Sequence, residues 1–248
     1  MNILGIDIGG SGIKSAIVDM ETGAFVTERI RIPTPQKGKP ELIAKSIKDI
    51  VDHFKYDGVI GVGFPGPIVN EVALLAANID KTWVGENVKD VIETYINNKV
   101  FVINDADAAG IAEINYGAGK NNNGTVLLIT LGTGIGTAIF YNGWLLPNIE
   151  LGHIEIRGKD AENRATAAVR KNKKLTWKKW SKNLEEYINR VENYIYPDLI
   201  IIGGGISKDS NKFLPLIESR AKIVPATLLN KAGIIGAARY AYEKTYIT

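Results

Sequence analysis

Apolar and polar positions divide the chain into short segments of changing period. Ile3 to Asp7 is a brief apolar run that ends in glycines, and Ser15 to Asp19 is a second, closed by the turn Asp19 to Gly23. Ala24 to Ile32 alternates apolar and polar residues, the period of a half-buried strand. Pro33, Pro35 and Pro40 then break the chain. From Glu41 to Tyr56 the apolar residues Leu42, Ile43, Ile47, Ile50, Val51 and Phe54 recur with helical spacing. Gly58 to Phe64 reads as a buried strand, Gly85 to Asn97 as a helix, Val100 to Ile103 as a buried strand and Ala106 to Tyr116 as a helix.

A second series opens near Gly124. Thr125 to Thr130 is an apolar strand, Gly132 to Gly136 a tight turn, Thr137 to Tyr141 a strand, and Asn142-Gly143 a hairpin signal. The order strand, polar end-residue, glycine turn, strand, turn repeats that of the first thirty residues. Asp7 corresponds to Thr130, and Ala16-Ile17 to Ala138-Ile139. This points to a duplicated, two-lobe α/β architecture. Leu184 to Tyr196 is an amphipathic helix, Leu199 to Ile202 a buried strand ending at Gly203-Gly204-Gly205, Phe213 to Ala221 a helix, Ile223-Val224 a short strand and Ala232 to Lys244 a last helix. The expected division is 1–104 for a smaller first lobe and 105–231 for a larger second one. The final helix, about 232–248, packs back on the first lobe.

Composition narrows the chemistry. With 45% apolar residues and a net charge of +3, the chain is ordinary for a globular protein. Neither a membrane nor a nucleic acid is expected as a partner. The absence of cysteine excludes a disulfide framework, a cysteine-ligated zinc and a cysteine nucleophile. MNILGIDIGG lacks the basic start and long apolar run of a signal peptide, so a cytoplasmic location is expected.

The chemistry gathers at strand ends. In the run Asp7 to Lys14, Gly9, Gly10 and Gly12 let backbone approach a ligand. Successive amides there form an anion-binding concavity, with Ser11 and Lys14 adding a hydroxyl and a charge. Asp7 is the candidate ligand for Mg²⁺ or another divalent cation. Gly132, Thr133 and Gly134 form a second candidate phosphate clamp; a strand follows them, which argues against dinucleotide binding. Gly204 and Gly205 form a third close-approach loop. Asp105, at a strand end, is placed to accept a hydroxyl proton during phosphoryl transfer, with Asn104 bonding a neighbouring hydroxyl. Asp107 is read as capping the following helix or positioning the loop. Gly66 and Pro67 make a rigid turn that can wall a ligand site. Glu150, His153 and Glu155 suit a polyol, because carboxylate and imidazole together satisfy hydroxyls that both donate and accept. His53 is read as a surface residue.

Charge is unevenly placed. Residues 157–182 carry ten Lys or Arg against Asp160 and Glu162, so +8 lies there and −5 on the rest of the chain. The segment is either a solvated helix face or a track for a long polyanion, with Lys173, Lys174, Lys178 and Lys179 as its candidates. Trp177 and Trp180 share a helix face and are expected in the core.

In order and spacing these motifs resemble the ROK-type sugar kinases, over essentially the whole chain. The stretches DIGGSGIK, INDADAAGIAE, LITLGTGIGTAIFYNG, ELGHIEI and LIIIGGGISK, with RATAAVRKNKKLTWKKW, are similar to its polyphosphate glucokinase and glucomannokinase branch. The resemblance implies an actin-like ATPase (ribonuclease H-like) fold, two lobes around a central cleft. It implies transfer from inorganic polyphosphate or ATP to the 6-hydroxyl of glucose, and a homodimer. Ordinary ROK kinases carry a Cys-rich zinc motif after the Gly-His pair; its absence implies no zinc here. An ATP-dependent kinase of another hexose, such as mannose, fructose or N-acetylmannosamine, and a sugar-sensing protein are the alternatives.

Overall fold

β1 (Asn2–Gly9) and β2 (Gly12–Asp19) form because two largely apolar runs flank a Gly10-Ser11 turn; they pair antiparallel from Asn2↔Asp19 to Gly9↔Gly12. A computed structural model describes residues 1–76 and 78–247; Thr248, the end of the expected last helix, lies outside them. β3 (Ile30–Ile32) continues from β2, but the strand predicted from Ala24 is interrupted. Phe25 makes a single bridge to Val18, and then the hydroxyl of Thr27 accepts the Ile17 amide. A side chain has taken the place of the ladder carbonyl, and regular pairing resumes only at Ile30.

α1 (Pro40–Phe54) has proline in its first turn and buries Ile43, Ala44, Ile47, Ile50 and Val51. β4 (Ile60–Phe64) is fully buried, and β5 (Ile68–Val69) with β6 (Val72–Ala73) is a small hairpin. α2 (Val88–Glu93) is shorter than predicted; it starts at Val88 because the Asn87 side chain caps it by accepting the Asp90 amide. β7 (Val100–Asn104) leads directly into α3 (Asp105–Tyr116). The first sheet has the order β3-β2-β1-β4-β7, with β1, β4 and β7 parallel.

The second sheet repeats the plan. β8 (Thr125–Leu131), β9 (Ile135–Tyr141) and β10 (Trp144–Leu146) run antiparallel. A short hairpin, β11 (Glu155–Ile156) and β12 (Lys159–Asp160), comes next, then α4 (Glu162–Ala165), α5 (Ala167–Asn172) and α6 (Trp177–Ile195). β13 (Leu199–Gly203) and β14 (Lys222–Pro225) complete the order β10-β9-β8-β13-β14, with β8, β13 and β14 parallel. Two sheets of one order and one set of strand directions are what duplication would leave.

α6 begins two turns before the predicted Leu184, since Thr176 caps it and Trp180 is buried with its indole N–H donating to the carbonyls of Ala165 and Thr166. The helix predicted over Phe213 to Ala221 is reduced to the single turn Leu214–Leu216. Pro215 lacks a donor, and the buried Glu192 carboxylate captures the Ser219 hydroxyl and the amides of Arg220 and Ala221. Among the described residues no helix is long and apolar enough to cross a membrane.

The chain divides into two compact units: Met1–Ala112 with the segment from Lys231 on, and Glu113–Asn230. α7 (Ala232–Tyr246) belongs to the first and packs on β1 and β4. It can do so because Gly5 and Gly61 lack side chains: a Cβ on either would run into the carbonyl of Ile234 or Ala237. Gly61→Val should therefore cost roughly 1–3 kcal/mol or more in urea unfolding through overpacking. Gly132→Ala, with open space around the new Cβ, should unfold at the wild-type midpoint. Wild-type stability in Gly61→Val would contradict this packing.

Candidate active site

In the first unit, parallel register lines up three strand ends. Asp7 lies opposite Gly63, Gly63 opposite Ile103, and Phe64 opposite Asn104. Ligands of open α/β sheets bind beyond such carboxyl ends. Asp105 is the first residue of α3 and is partly exposed. Asn104, rather than Asp107, caps the helix: its Oδ1 accepts the amides of Ala106 at 2.8 Å and Asp107 at 3.0 Å. The capping role given to Asp107 is corrected accordingly. Asn is as good a cap as Asp, and here it sits at the position where the strand's extended backbone turns. With Oδ1 so used, Asn104 offers a hydroxyl its amide Nδ2. Asp107 is buried.

The β1–β2 turn leaves Gly10 and Ser11 exposed. Asp7 and Lys14 are cross-strand partners and form an ion pair at 2.9 Å, so Lys14 is anchored to Asp7. Arg31, not anticipated from the sequence, lies opposite Lys14 on β3 and donates from Nη2 to the Ser11 carbonyl at 2.6 Å. The alternation of Ile30, Arg31 and Ile32 held that signal. The Thr34 hydroxyl donates to the Gly9 carbonyl, and a cavity of about 390 Å³ lined by Gly10, Thr34, Lys37 and Asp80 adjoins the turn. Gly66 and Pro67 are buried, and a Cβ on Gly66 would meet the Leu75 carbonyl.

In the second unit, Thr130 is paired with Gly136 on one side and Gly203 on the other. Gly132 and Thr133 are exposed; the Gly132 amide donates to the Gly134 carbonyl and the Ala168 amide to that of Gly132. Gly204 has φ +81° and lies against the Leu131 backbone, where a side chain has neither room nor the right backbone geometry. The 132–134 and 204–205 loops are thus neighbours at adjacent strand ends.

A cluster of acids surrounds His153. The turn Leu151–His153 is pinned by Thr137, whose hydroxyl donates to the Ile149 carbonyl and accepts the Leu151 amide. His153 Nδ1 is 3.2 Å from Asp160 Oδ2, and Nε2 is 4.0 Å from Glu150 Oε2. Ligand atoms of His153, Asp160 and Glu162 lie within 4.8 Å of one another. Glu162 also reaches the glycine loop, its Oε2 being 2.8 Å from where a Gly134 Cβ would stand. Burial holds the Glu150 carboxyl above the usual carboxylate range; the nearby Glu162 adds to this and His153 opposes it. Burial, and then the charge of Glu150, push the Tyr187 phenol up as well. Glu155 is exposed on β11 and stands outside this group. Sequence reasoning missed Asp160 and Glu162. The Arg157-Gly158 turn, with φ of 54° and 74°, is the signal that folds them back toward His153.

The basic segment divides in two. Arg157 and Arg164 both bind Glu186, and Arg170 lies 3.4 Å over the Trp177 ring. Arg157's hydrogen bond in particular draws the Glu186 carboxyl below its usual range. Lys173 and Lys174 lie between α5 and α6, and Lys178 and Lys179 in the first turn of α6. None of the four has a carboxylate within 4.0 Å among the described residues. A cavity of about 530 Å³ joins Lys179 to Lys182, Arg157 and Arg164. Trp177 and Trp180 pack on Phe213, and His53 is exposed.

Residues 3–167 match the ROK family model. The chain belongs to the ROK family. It is 49% identical over 235 residues to the polyphosphate glucokinase of Mycobacterium tuberculosis (strain H37Ra), covering 94% of this chain and 89% of that protein. It is 46% identical to the polyphosphate glucokinase of Mycobacterium leprae, covering 94% and 72%. Among solved structures, the inorganic polyphosphate/ATP-glucomannokinase of Arthrobacter sp. strain KM matches with a TM-score of 0.93 and 45% identity, over 98% of this chain and 99% of that one. The fold of this ROK protein is the actin-like ATPase fold, with its two five-stranded sheets.

Two measurements check this description. Asn104→Ala should lose about 1 kcal/mol of stability while Asn104→Asp, which can still accept both amides, should not; equal losses would contradict the cap. Because folding raises the Glu150 carboxyl, the native state holds its proton to higher pH than the unfolded chain does. The wild-type protein should therefore lose stability relative to Glu150→Gln as pH rises through the usual glutamate range. A difference that stays constant with pH would contradict the burial effect.

Proposed function

We propose that this protein transfers a phosphoryl group from inorganic polyphosphate, and also from ATP, to the 6-hydroxyl of glucose. The observation that carries the reading is Asp105 held at the start of α3 by the Asn104 cap, in a sheet whose aligned strand ends also carry Asp7 and the Gly9–Gly12 turn. The kinship to polyphosphate glucokinases supplies donor and acceptor.

Asp105 accepts the proton of the 6-hydroxyl as that oxygen bonds to the terminal phosphorus. The bridging P–O bond of the donor breaks, and the shortened polyphosphate, or ADP, leaves. The Gly9–Gly12 turn with Ser11, the Gly132–Gly134 loop with Thr133, and Gly204-Gly205 bind donor phosphates through backbone amides and hydroxyls. Lys14 and Arg31 set positive charge at the first turn. Asn104, through Nδ2, and Glu150, His153 and Glu162 bond the sugar hydroxyls. Glu155, Gly66 and Pro67 are assigned to the edge of the sugar site. Lys173, Lys174, Lys178 and Lys179 carry the distal part of a polyphosphate chain.

A kinase of this kind works with a divalent cation, and the residues present fit Mg²⁺. Asp7 offers a single carboxylate with one oxygen already on Lys14, which suits a cation that keeps waters and takes most of its ligands from phosphates. When bound, that cation offsets charge on the donor oxygens. The reading further holds that the enzyme works without zinc, as a homodimer, in the cytoplasm. Kinship at 45% identity to a glucomannokinase supports mannose as a second acceptor.

Asp105→Asn should lower turnover by about 10²–10⁴-fold while calorimetry shows glucose binding retained; near-normal turnover would reject Asp105 as the base. Reversing charge at Lys173, Lys174, Lys178 and Lys179 should raise the KM for long polyphosphate at least tenfold, with the KM for ATP little changed. Equal effects on the two donors would mark a solvated face.

A further inference from the structure

We propose that Asp160 is a positioning residue that sets the tautomer of His153. Its carboxylate holds the proton on Nδ1 and leaves Nε2 as an acceptor beside Glu150, so that the pair accepts hydrogen bonds from two adjacent hydroxyls on a sugar. The proposal rests on the sugar-kinase reading above and adds a residue to it.

Geometry carries the argument. Asp160 Oδ2 lies 3.2 Å from His153 Nδ1. A carboxylate only accepts hydrogen bonds, so Nδ1 is the donor, and the bond made at one ring nitrogen fixes the state of the other. Neutral imidazole then presents a lone pair at Nε2. That atom is 4.0 Å from Glu150 Oε2, too far for a hydrogen bond and close enough for the two acceptors to receive neighbouring hydroxyls. With the proton on Nε2 the imidazole would face Glu150 as a donor. The two side chains would then satisfy one another in place of the sugar.

The local fold brings Asp160 to this position at a cost. The Arg157-Gly158 turn returns the chain so that Asp160 stands opposite Glu155, and the Ala161 amide donates to the Ile154 carbonyl one step further along the ladder. Two acids directly opposite each other weaken a hairpin. Buried Ile156 and Ala161 hold its other face. Hairpin stability therefore does not account for an acid at 160, whereas a partner for His153 does.

The chain has two histidines, which makes the tautomer directly observable. In ¹⁵N-histidine-labelled His53→Gln protein, long-range ¹H–¹⁵N correlations should show His153 protonated on Nδ1. Added glucose should shift the Nε2 resonance. Asp160→Ala should move the proton to Nε2 in part or in full and raise the KM for glucose roughly tenfold, with kcat within about twofold. Asp160→Glu should restore both. A proton on Nε2 in the protein with Asp160 intact overturns the proposal, whatever the variants do. So does an unchanged tautomer in Asp160→Ala. A protein that holds the Nδ1–H form but phosphorylates no hexose overturns the sugar-facing part and, separately, the proposed function.

Discussion

The junction of β7 and α3 is the constraint on which the site depends. Two amides bonded to Asn104 Oδ1 decide where extended backbone ends and helix begins. That choice puts Asp105 on the first helical residue, at the carboxyl end of a buried parallel strand. If the helix began a residue later or earlier, the carboxylate would rotate by about 100° around the helix axis. The surrounding sheet leaves little freedom for such a shift. β7 is held in register by β4, β4 by β1, and α7 lies on β1 and β4 at glycines that admit no side chain.

The same economy recurs in the second unit. There Thr130 is the polar residue, paired with Gly203, the last residue of the neighbouring strand, which Gly204 follows. One plan, a hairpin followed by parallel strands, thus yields two glycine-lined strand ends with different chemistry. The first carries an acid and two cations, the second exposed amides and a hydroxyl. Both can hold phosphate oxygens, and the difference lies in the charge each brings.

Much of this was legible in the sequence. The glycine turns, the strand ending at Asn104 and the doubled order of elements all follow from local periodicity, and periodicity is what strands and tight turns impose; β1 and β8 run on past the expected ends at Asp7 and Thr130, to Gly9 and Leu131. What was less legible depended on side chains that replace backbone partners. Thr27 interrupts β3, Asn87 sets the start of α2, and Glu192 unwinds the segment before β14. Thr27 and Glu192 act on residues ten or more positions away, beyond a short window of neighbours, whereas the Asn87 cap is a local bond to Asp90. The site divides along the same line. Glu150 and His153 announce themselves within one short motif. Arg31, Asp160 and Glu162 join their groups only after a strand or a hairpin has folded back.

Following the phosphorus itself tests the central claim most directly. Purified protein with Mg²⁺, glucose and long-chain polyphosphate can be observed by ³¹P NMR. The account predicts a growing phosphate-ester resonance of a hexose 6-phosphate, matched one for one by loss of polyphosphate, with no orthophosphate beyond background. Orthophosphate without ester, or an unchanged spectrum with both polyphosphate and ATP, would contradict it.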